Sequence, residues 1–302
     1  MKQPEMKQEE YIDLDLVNRK MNKRLMLNKA VKYLFLVSTF IGLVVLAILL
    51  YRVAMDSAGW IDWQFLTDRL SSNPEIAGIR GAITGTLWLM LIVGPVTMIL
   101  GISTAIYLEE YAKRGRLHSF IQTNIANLAG VPSIVFGILG LTVFVRMFGF
   151  GASVIAGALT MSLLVLPIVV VSAQEAIRSV PGFLREASYG MGATKWQTIK
   201  NVVLPASIPG IATGVILALS RAIGETAPLV VLGIPALLIP VPSGPMDNFT
   251  ALPMQIYYWT IDAVLVHEYA NLAAATIVVL LLVLFILNSL AILIRAKFQK
   301  RY

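Results

Sequence analysis

Apolar residues are concentrated in six long stretches of the chain, which are separated by more polar segments. Each stretch can supply the roughly 20 helical residues that a crossing of the hydrocarbon core requires at 1.5 Å per residue. Helix is the expected structure, because a single span in lipid must satisfy its own backbone hydrogen bonds. The predicted spans are 31–53, 81–108, 120–145, 151–173, 208–239 and 272–294.

The composition agrees with a membrane location for most of the chain. Of its 302 residues, 57% are hydrophobic and 14% are charged, whereas soluble domains are about half apolar and a quarter charged. The mean hydropathy is +0.77, and lipid is the natural solvent for so much apolar surface. With no cysteine and two histidines, we predict neither disulfides nor a metal site.

The basic residues are divided unequally between the two sides that six spans would define. With the N-terminus inside, 19 of the 24 Lys and Arg residues fall on the cytoplasmic side, four on the outside, and Arg221 within the fifth span. Cytoplasmic loops of membrane proteins collect positive charge. We therefore predict a multi-pass protein with both termini in the cytoplasm. The same asymmetry explains the formal net charge of +7 without any bound nucleic acid.

Residues 1–30 are polar and mixed in charge, and they precede a first transmembrane helix at 31–54. They are predicted to form a cytoplasmic tail, with contact to acidic membrane lipid as the alternative. The apolar run that follows is long enough to span the membrane, whereas the apolar part of a signal peptide has about 7–15 residues. It is therefore predicted to remain as an uncleaved membrane helix.

Two of the predicted external loops are long, covering 54–80 and 240–271. Both contain aromatic residues, which either anchor a protein at the lipid–water interface or form a docking surface for an external partner. The sequence leaves both interpretations open. The aromatic residues include Trp60, Trp63, Tyr257, Tyr258 and Trp259.

The predicted cytoplasmic loop at 174–205 has the features of two short helices around a glycine hinge. Pro181 suits the first turn of a helix, and Gly192 would break that helix. Thr194 stands three residues before Gln197, which is the spacing of a capping box at the start of a second helix. A rigid projection of this kind suits contact with a soluble partner.

The residues of this loop also match a known pattern. Glu186 and Ala187 are followed at a fixed spacing by Gly192, and then by Leu204 and Pro205, which are predicted to close the segment. The pattern resembles the EAA loop of ABC-importer permeases, with conservative departures at positions 188 and 202. The resemblance implies that the loop is a coupling helix seated in a cleft of an ATPase subunit, and that these five residues take part in ATPase coupling.

Two ionisable residues, Arg221 and Glu225, lie within the fifth predicted span. A charge at the bilayer centre costs about 2.5–3.5 kcal/mol on insertion scales, so both are expected to be paired, sheltered or wetted. Four residues apart, they are predicted to share one face of the helix. Arginine is suited to bidentate contact with an oxyanion, but a neutralised structural pair between helices explains the two residues equally well.

The run at 220–229, which includes both charged residues, is similar to the signature of phosphate-specific permeases, on the PstA-like side of that family. Segments 128–137 and 252–256 resemble the same family, and the predicted permease core covers 78–298. The resemblance implies an all-α membrane protein with six transmembrane helices and the type I, MetI-like permease fold of ABC importers. It also implies that the two charged residues lie on the path of phosphate.

The resemblance further implies the other subunits of a transporter in the bacterial plasma membrane. The chain is expected to form a heterodimer with a PstC-like permease, to bind two ATP-binding subunits on the cytoplasmic side, and to receive phosphate from an external phosphate-binding protein. The sequence has no G-x-x-x-x-G-K-[ST] loop, so ATP is expected to be bound by the partners. The chain itself is predicted to be a transport subunit with no cofactor, catalytic residue or ATPase site.

Three alternatives stay open at this stage. Permeases for sulfate or molybdate share the coupling loop, so the anion can differ. An ion-coupled carrier or channel would also keep a charged pair within a span, but it needs no ATPase partner. A role in reporting phosphate supply to a sensor kinase is compatible with transport.

Overall fold

A computed structural model describes residues 14–113, 115–235 and 240–298 of the chain. These ranges are almost entirely helical, and they contain no β-strand beyond one isolated bridge between Ser153 and Asn248. The α-helices are α1 (Leu14–Asp56), α2 (Trp63–Thr67), α3 (Arg80–Ile106), α4 (Arg116–Leu128), α5 (Ser133–Gly140), α6 (Val154–Arg178), α7 (Gly182–Gly190), α8 (Lys195–Thr198), α9 (Leu204–Gly224), α10 (Ala227–Val231), α11 (Leu252–Asp262) and α12 (Glu268–Phe298).

The chain divides into two compact units, 1–55 and 56–302. The first unit contains α1, whose stretch from Arg24 to Asp56 has a mean hydropathy of 2.7 and is long enough to cross a membrane. Residues 14–30 of the predicted tail are helical and continuous with this span, because no glycine or proline interrupts the chain there. Residues 1–13 lie outside the described part of the chain.

The described residues of the second unit form four helices that are long and apolar enough to cross a membrane singly. They are α3 with the π-helical turn after it, α6, the continuous helix from α8 to α9, and α12. Two further helices, α4 and α5, are bent by 102° at the break between them, and they make one more crossing if the pair is counted as one span. The predicted helical spans are therefore present, with the third in a bent form and the fifth ending at Gly224, short of its predicted end at 239.

The prediction of a continuous third span over 120–145 is wrong. Helix α4 ends at Leu128 and α5 begins at Ser133. Pro132 lies in the break, where it has no N–H to donate and disfavours helical geometry in the residue before it. None of the side chains of α4 is buried in the described structure, whereas α5 packs on α6 and α10.

The core of the second unit is centred on α6, which packs between α3 and α9. Small residues allow these helices to approach closely. A Cβ atom added at Gly101 of α3 would come within 2.7 Å of Val169, and one added at Gly210 of α9 within 2.6 Å of Ala176. The side chains of Val169 and Ala176 therefore fit between the helices only because glycine has no side chain there, as is common where membrane helices pack.

The predicted external loops at 54–80 and 240–271 pack on each other. Phe65 of α2 and Trp259 of α11 have ring centroids 6.3 Å apart, and both are buried with Leu252 and Leu272 in a second apolar cluster. With 3% of its surface exposed, Trp259 is a core residue, so neither the anchor nor the docking interpretation applies to it. Trp63, at 78% exposed, remains open to both.

We expect Gly85→Ala to destabilise the protein, because the new Cβ would overlap the carbonyl oxygen of Thr250. The segment after Thr250 is fixed in place, since the Leu252 N–H donates to Thr86 Oγ1 over 2.9 Å. Overpacking of this kind costs about 1–3 kcal/mol. The midpoint of thermal unfolding in detergent should fall accordingly.

Gly81→Ala is the matched control, because Gly81 is one helical turn earlier in α3 and a Cβ there meets nothing within 4 Å. Its unfolding midpoint should stay close to that of the wild type or rise, as alanine is the better helix former. Equal midpoints for the two variants would show that the contact between Gly85 and Thr250 does not limit stability.

Candidate functional site

The predicted helix–turn–helix is present between α6 and α9. Helix α7 ends at Gly190, and Gly192 in the following turn has a φ of +82°, a conformation that glycine adopts without steric cost. Thr194 caps α8: its N–H donates to Gln197 Oε1 over 2.8 Å, and its Oγ1 accepts from the Gln197 N–H. The predicted capping box is thus confirmed.

Both ends of the predicted loop 174–205 are wrong. Residues 174–178 are the last helical residues of α6, and α8 continues into α9 through a π-helical turn at Ile199–Val203. Leu204 and Pro205 therefore begin α9 instead of closing a separate segment. Pro205 is compatible with this position because the π-helical turn changes the hydrogen-bond register just before a residue without N–H.

The exposed surface of α7, the following turn and α8, which we call the coupling face, carries three of the five predicted coupling residues. Glu186, Ala187 and Gly192 are exposed there, whereas Leu204 and Pro205 are half-buried at the start of α9. Large apolar side chains are also exposed on this part of the chain, with Met191 at 89%. These side chains are Phe183, Tyr189, Met191 and Trp196.

Two adjacent glutamates join the end of α3 to α6 and to the coupling face. Glu109 and Glu110 lie in the π-helical turn Tyr107–Tyr111 that ends α3. Glu109 accepts two hydrogen bonds from Arg178 of α6, at 2.6 and 2.8 Å, and Glu110 accepts from Arg185 of α7 at 3.1 Å. The sequence does not predict either ion pair, because the partners are 69 and 75 residues apart and no local pattern connects them.

The second candidate site contains the Arg221–Glu225 pair. Arg221 Nε donates to Glu225 Oε1 over 3.1 Å, so the two charges are paired as expected. The prediction that both share one helix face is wrong, because α9 ends at Gly224 and Glu225 has extended backbone angles, with φ −81° and ψ 122°. A glycine followed by Pro228 four residues later favours such a break.

The Arg221 side chain is 45% exposed, against 20% for Glu225. Within residues 14–113, 115–235 and 240–298, its guanidinium has no polar contact other than that with Glu225. The neighbouring Ser220 points elsewhere, since its hydroxyl donates to the Ile216 carbonyl oxygen over 2.7 Å and lies 2.7 Å from Asn288 Oδ1 of α12. The two terminal nitrogens of Arg221 can therefore donate to an oxyanion without first losing a protein partner.

The segment after this pair closes on α5. A Cβ at Gly137 would come within 2.9 Å of Pro228 Cα, so two of the segments singled out by resemblance, 128–137 and 220–229, are in direct contact. A cavity of about 330 Å³ opens beside them. Its lining residues are Ile134, Thr226, Ala227, Val230, Val231 and Tyr257. The last part of the predicted fifth span, residues 236–239, lies outside the described residues.

Residues 97–301 match the model of one protein family, described as "Binding-protein-dependent transport system inner membrane component". The "Probable ABC transporter permease protein YqgI" of Bacillus subtilis is 37% identical over 177 residues, which cover 59% of this chain and 60% of the relative. The "Phosphate transport system permease protein PstA 1" of Mycobacterium tuberculosis strain H37Rv is 36% identical over 216 residues, covering 70% of this chain and 69% of the relative.

Solved structures of ABC importers have the same fold. A bacterial ABC transporter for the acidic polysaccharide alginate superposes with a TM-score of 0.64 at 17% identity, covering 92% of this chain and all of that one. The MetNI methionine transporter in an inward-facing form gives a TM-score of 0.58 at 17% identity, covering 74% of this chain and 96% of that one. These likenesses confirm the predicted MetI-like permease fold.

Proposed function

The chain belongs to the family of binding-protein-dependent transport system inner membrane components, and on this basis we propose that it is the permease subunit of an ATP-driven importer of inorganic phosphate. The observation that carries the choice of substrate is the half-exposed Arg221, whose guanidinium is paired on one side only. The relatives named as PstA phosphate permeases, 34–38% identical over about 70% of the chain, support the same choice.

Phosphate fits the Arg221–Glu225 pair better than sulfate does. A planar guanidinium with free terminal N–H groups binds two oxygens of either anion. At neutral pH, however, phosphate keeps at least one proton, and sulfate keeps none. Glu225 is bound to Arg221 through Oε1, which leaves Oε2 to accept a hydrogen bond from the protonated oxygen of phosphate. For sulfate, the same carboxylate would only repel the anion, and this difference supports phosphate over sulfate.

Glu225 has a second part in this proposal. When no anion is present, it offsets the charge of Arg221, which lowers the cost of keeping a cation within a membrane span. An arriving anion shares the guanidinium with Glu225 and does not replace it. The path is thus polarised for anions but binds them weakly enough to release them, as transport requires.

Energy would reach the chain through the coupling face. Its exposed Phe183, Met191 and Trp196 suit burial in a cleft of an ATP-binding subunit, as aromatic and Met side chains are enriched in protein interfaces. Two such subunits would bind, one on this chain and one on a PstC-like permease partner. Closure of the ATP-bound subunits would then move the coupling faces and switch the bundle between two packed arrangements.

The charge distribution supports an orientation with the coupling face in the cytoplasm. Cytoplasmic placement of both termini gives that side 19 of the 24 Lys and Arg residues. The layer formed by 54–80 and 240–271 would then face outward, where a phosphate-binding protein docks. Exposed Trp63, Val264 and Leu265 on this layer are the expected contact residues.

The test is uptake of radioactive phosphate by proteoliposomes that contain the chain with its permease partner, its ATP-binding subunits and its binding protein. We expect uptake that depends on ATP, is inhibited by unlabelled phosphate, and is insensitive to equal sulfate or molybdate. Uptake of phosphate by this chain without any ATP-binding subunit would identify an ion-coupled carrier. Preferential inhibition by sulfate or molybdate would identify a permease for that oxyanion.

A further inference from the structure

The end of α3 is attached to two different elements by two consecutive residues. Glu109 binds α6, through Arg178 and through Gln174, whose Nε2 donates to Glu109 Oε1 over 2.8 Å. Glu110 binds α7, through Nε and Nη2 of Arg185 at 3.3 and 3.1 Å. The two carboxylates are almost equally buried, with 12% and 10% of their side-chain surfaces exposed.

Arg185 also holds α7 against the end of α6. Its Nη1 donates to the Val180 carbonyl oxygen over 2.6 Å, and its Nη2 donates to that of Ile177 over 2.8 Å. These carbonyls follow or end α6, where helical partners are missing. One guanidinium thus binds the end of α6 and the carboxylate at the end of α3, so α7 cannot shift relative to α3 without breaking the two charge-assisted hydrogen bonds to Glu110.

Helix α3 extends from this attachment to the opposite end of the bundle. Its first turns lie against the 249–252 segment, where Gly85 is in close contact with Thr250 and Thr86 accepts the Leu252 N–H. A displacement of α7 that is passed to the end of α3 is therefore passed along one packed helix to the layer that contains α11. Packed elements with discrete arrangements are what carries coupling between distant sites.

We propose that the Glu110–Arg185 ion pair transmits the movement of α7 to α3 during the transport cycle, so that the two helices move together. Glu110 is a positioning residue, since it acts through Arg185 of α7. The adjacent Glu109–Arg178 pair joins α3 to α6 and does not contact α7, so it stabilises the bundle without passing on the motion. This inference rests on the proposed function of the chain as an ATP-driven permease.

The first measurement is the number of phosphate ions taken up per ATP hydrolysed, in the complete transporter in proteoliposomes. Glu110→Gln keeps the size of the side chain and removes its charge. We expect this variant to assemble and to hydrolyse ATP, while uptake per ATP falls about tenfold, within the range that coupling residues contribute. Glu109→Gln is the matched control, and its uptake per ATP should equal that of the wild type.

The second measurement does not depend on the substrate. The chain has no cysteine, so Leu100→Cys in α3 and Gly182→Cys in α7 provide the only labelling sites in this subunit. Leu100 is exposed, and a side chain at Gly182 meets nothing within 4 Å. The distance between two spin labels should be the same without nucleotide and after trapping with ATP and vanadate. In the Glu110→Gln variant, trapping should change or broaden it.

Any of three results would contradict this proposal. They are a change in the distance between the spin labels when the wild type is trapped, normal uptake per ATP in Glu110→Gln, and equal loss of uptake per ATP in Glu109→Gln. If Glu110→Gln does not assemble, Glu110→Asp replaces it, because this variant keeps the charge but draws it back by one methylene group. The proposed function fails separately, if the wild-type complex takes up no phosphate. In that case the label distances still decide whether α7 and α3 move together.

Discussion

Replacement of Arg221 by alanine is expected to reduce ATP-driven phosphate uptake by about 10- to 100-fold, the loss that corresponds to removing hydrogen bonds to a charged group. The guanidinium is 45% exposed and has its terminal nitrogens available, as its bond to Glu225 uses Nε. Alanine removes these donors and leaves Glu225 as an unpaired negative charge on the path of an anion. Initial uptake rates should be compared at matched amounts of assembled transporter.

Further variants separate a role in the path from a structural role. Arg221→Lys keeps the charge without the bidentate geometry, so we expect its uptake to lie between those of the wild type and Arg221→Ala. Arg146→Ala, which removes another exposed helical arginine far along the chain, should be neutral. Unchanged uptake in Arg221→Ala would assign the pair to structure alone and would remove much of the case for phosphate.

The position of the Arg221–Glu225 pair shows where sequence patterns are insufficient. The apolar run at 208–239 predicts a single span, because membrane helices tolerate Gly and Pro when neighbouring helices satisfy the free backbone N–H and C=O groups. Whether Gly224 and Pro228 end the helix or only bend it depends on what packs against them. Here Pro228 lies on Gly137 of α5, a contact between residues about ninety positions apart that no local pattern contains.

The bend in the third span, like the break after Gly224, depends on tertiary packing that the sequence pattern does not contain. Hydropathy over 120–145 suits one crossing, but the angle of 102° between α4 and α5 is set by tertiary packing. Long apolar helices such as α6 and α12 were predictable, because length and hydropathy suffice for them. The ends of these helices were less predictable: α6 continues five residues beyond its predicted end, to Arg178.

The helix–turn–helix of the coupling face was predictable because its signals are local. The Thr194–Gln197 capping box and the turn at Gly192 are formed by neighbours in sequence, so their residue types specify the geometry directly. The ion pairs that hold the turn in place are not local. Arg185 binds Glu110 of α3 from 75 positions away, and only the fold reveals that the two residues meet.

The second prediction with a large expected effect concerns the turn of the coupling face. Gly192→Val should prevent stable binding of the ATP-binding subunit, because valine at a φ of +82° costs about 1–3 kcal/mol of local strain. The turn would relieve this strain by changing its backbone angles, which would displace α7 relative to α8. Co-purification of the ATP-binding subunit with the tagged permease measures the loss, while membrane insertion should be unaffected.

Gly190→Ala is the control, because Gly190 is two residues earlier, in α7, where an added Cβ meets nothing within 4 Å and φ is not positive. Alanine there should bind the ATP-binding subunit as the wild type does. If both variants lose binding, the small size of the glycines matters at the interface, and backbone angle is not the cause. If Gly192→Val binds normally, the turn is not part of the interface, and the assignment of coupling to α7 would have to be abandoned.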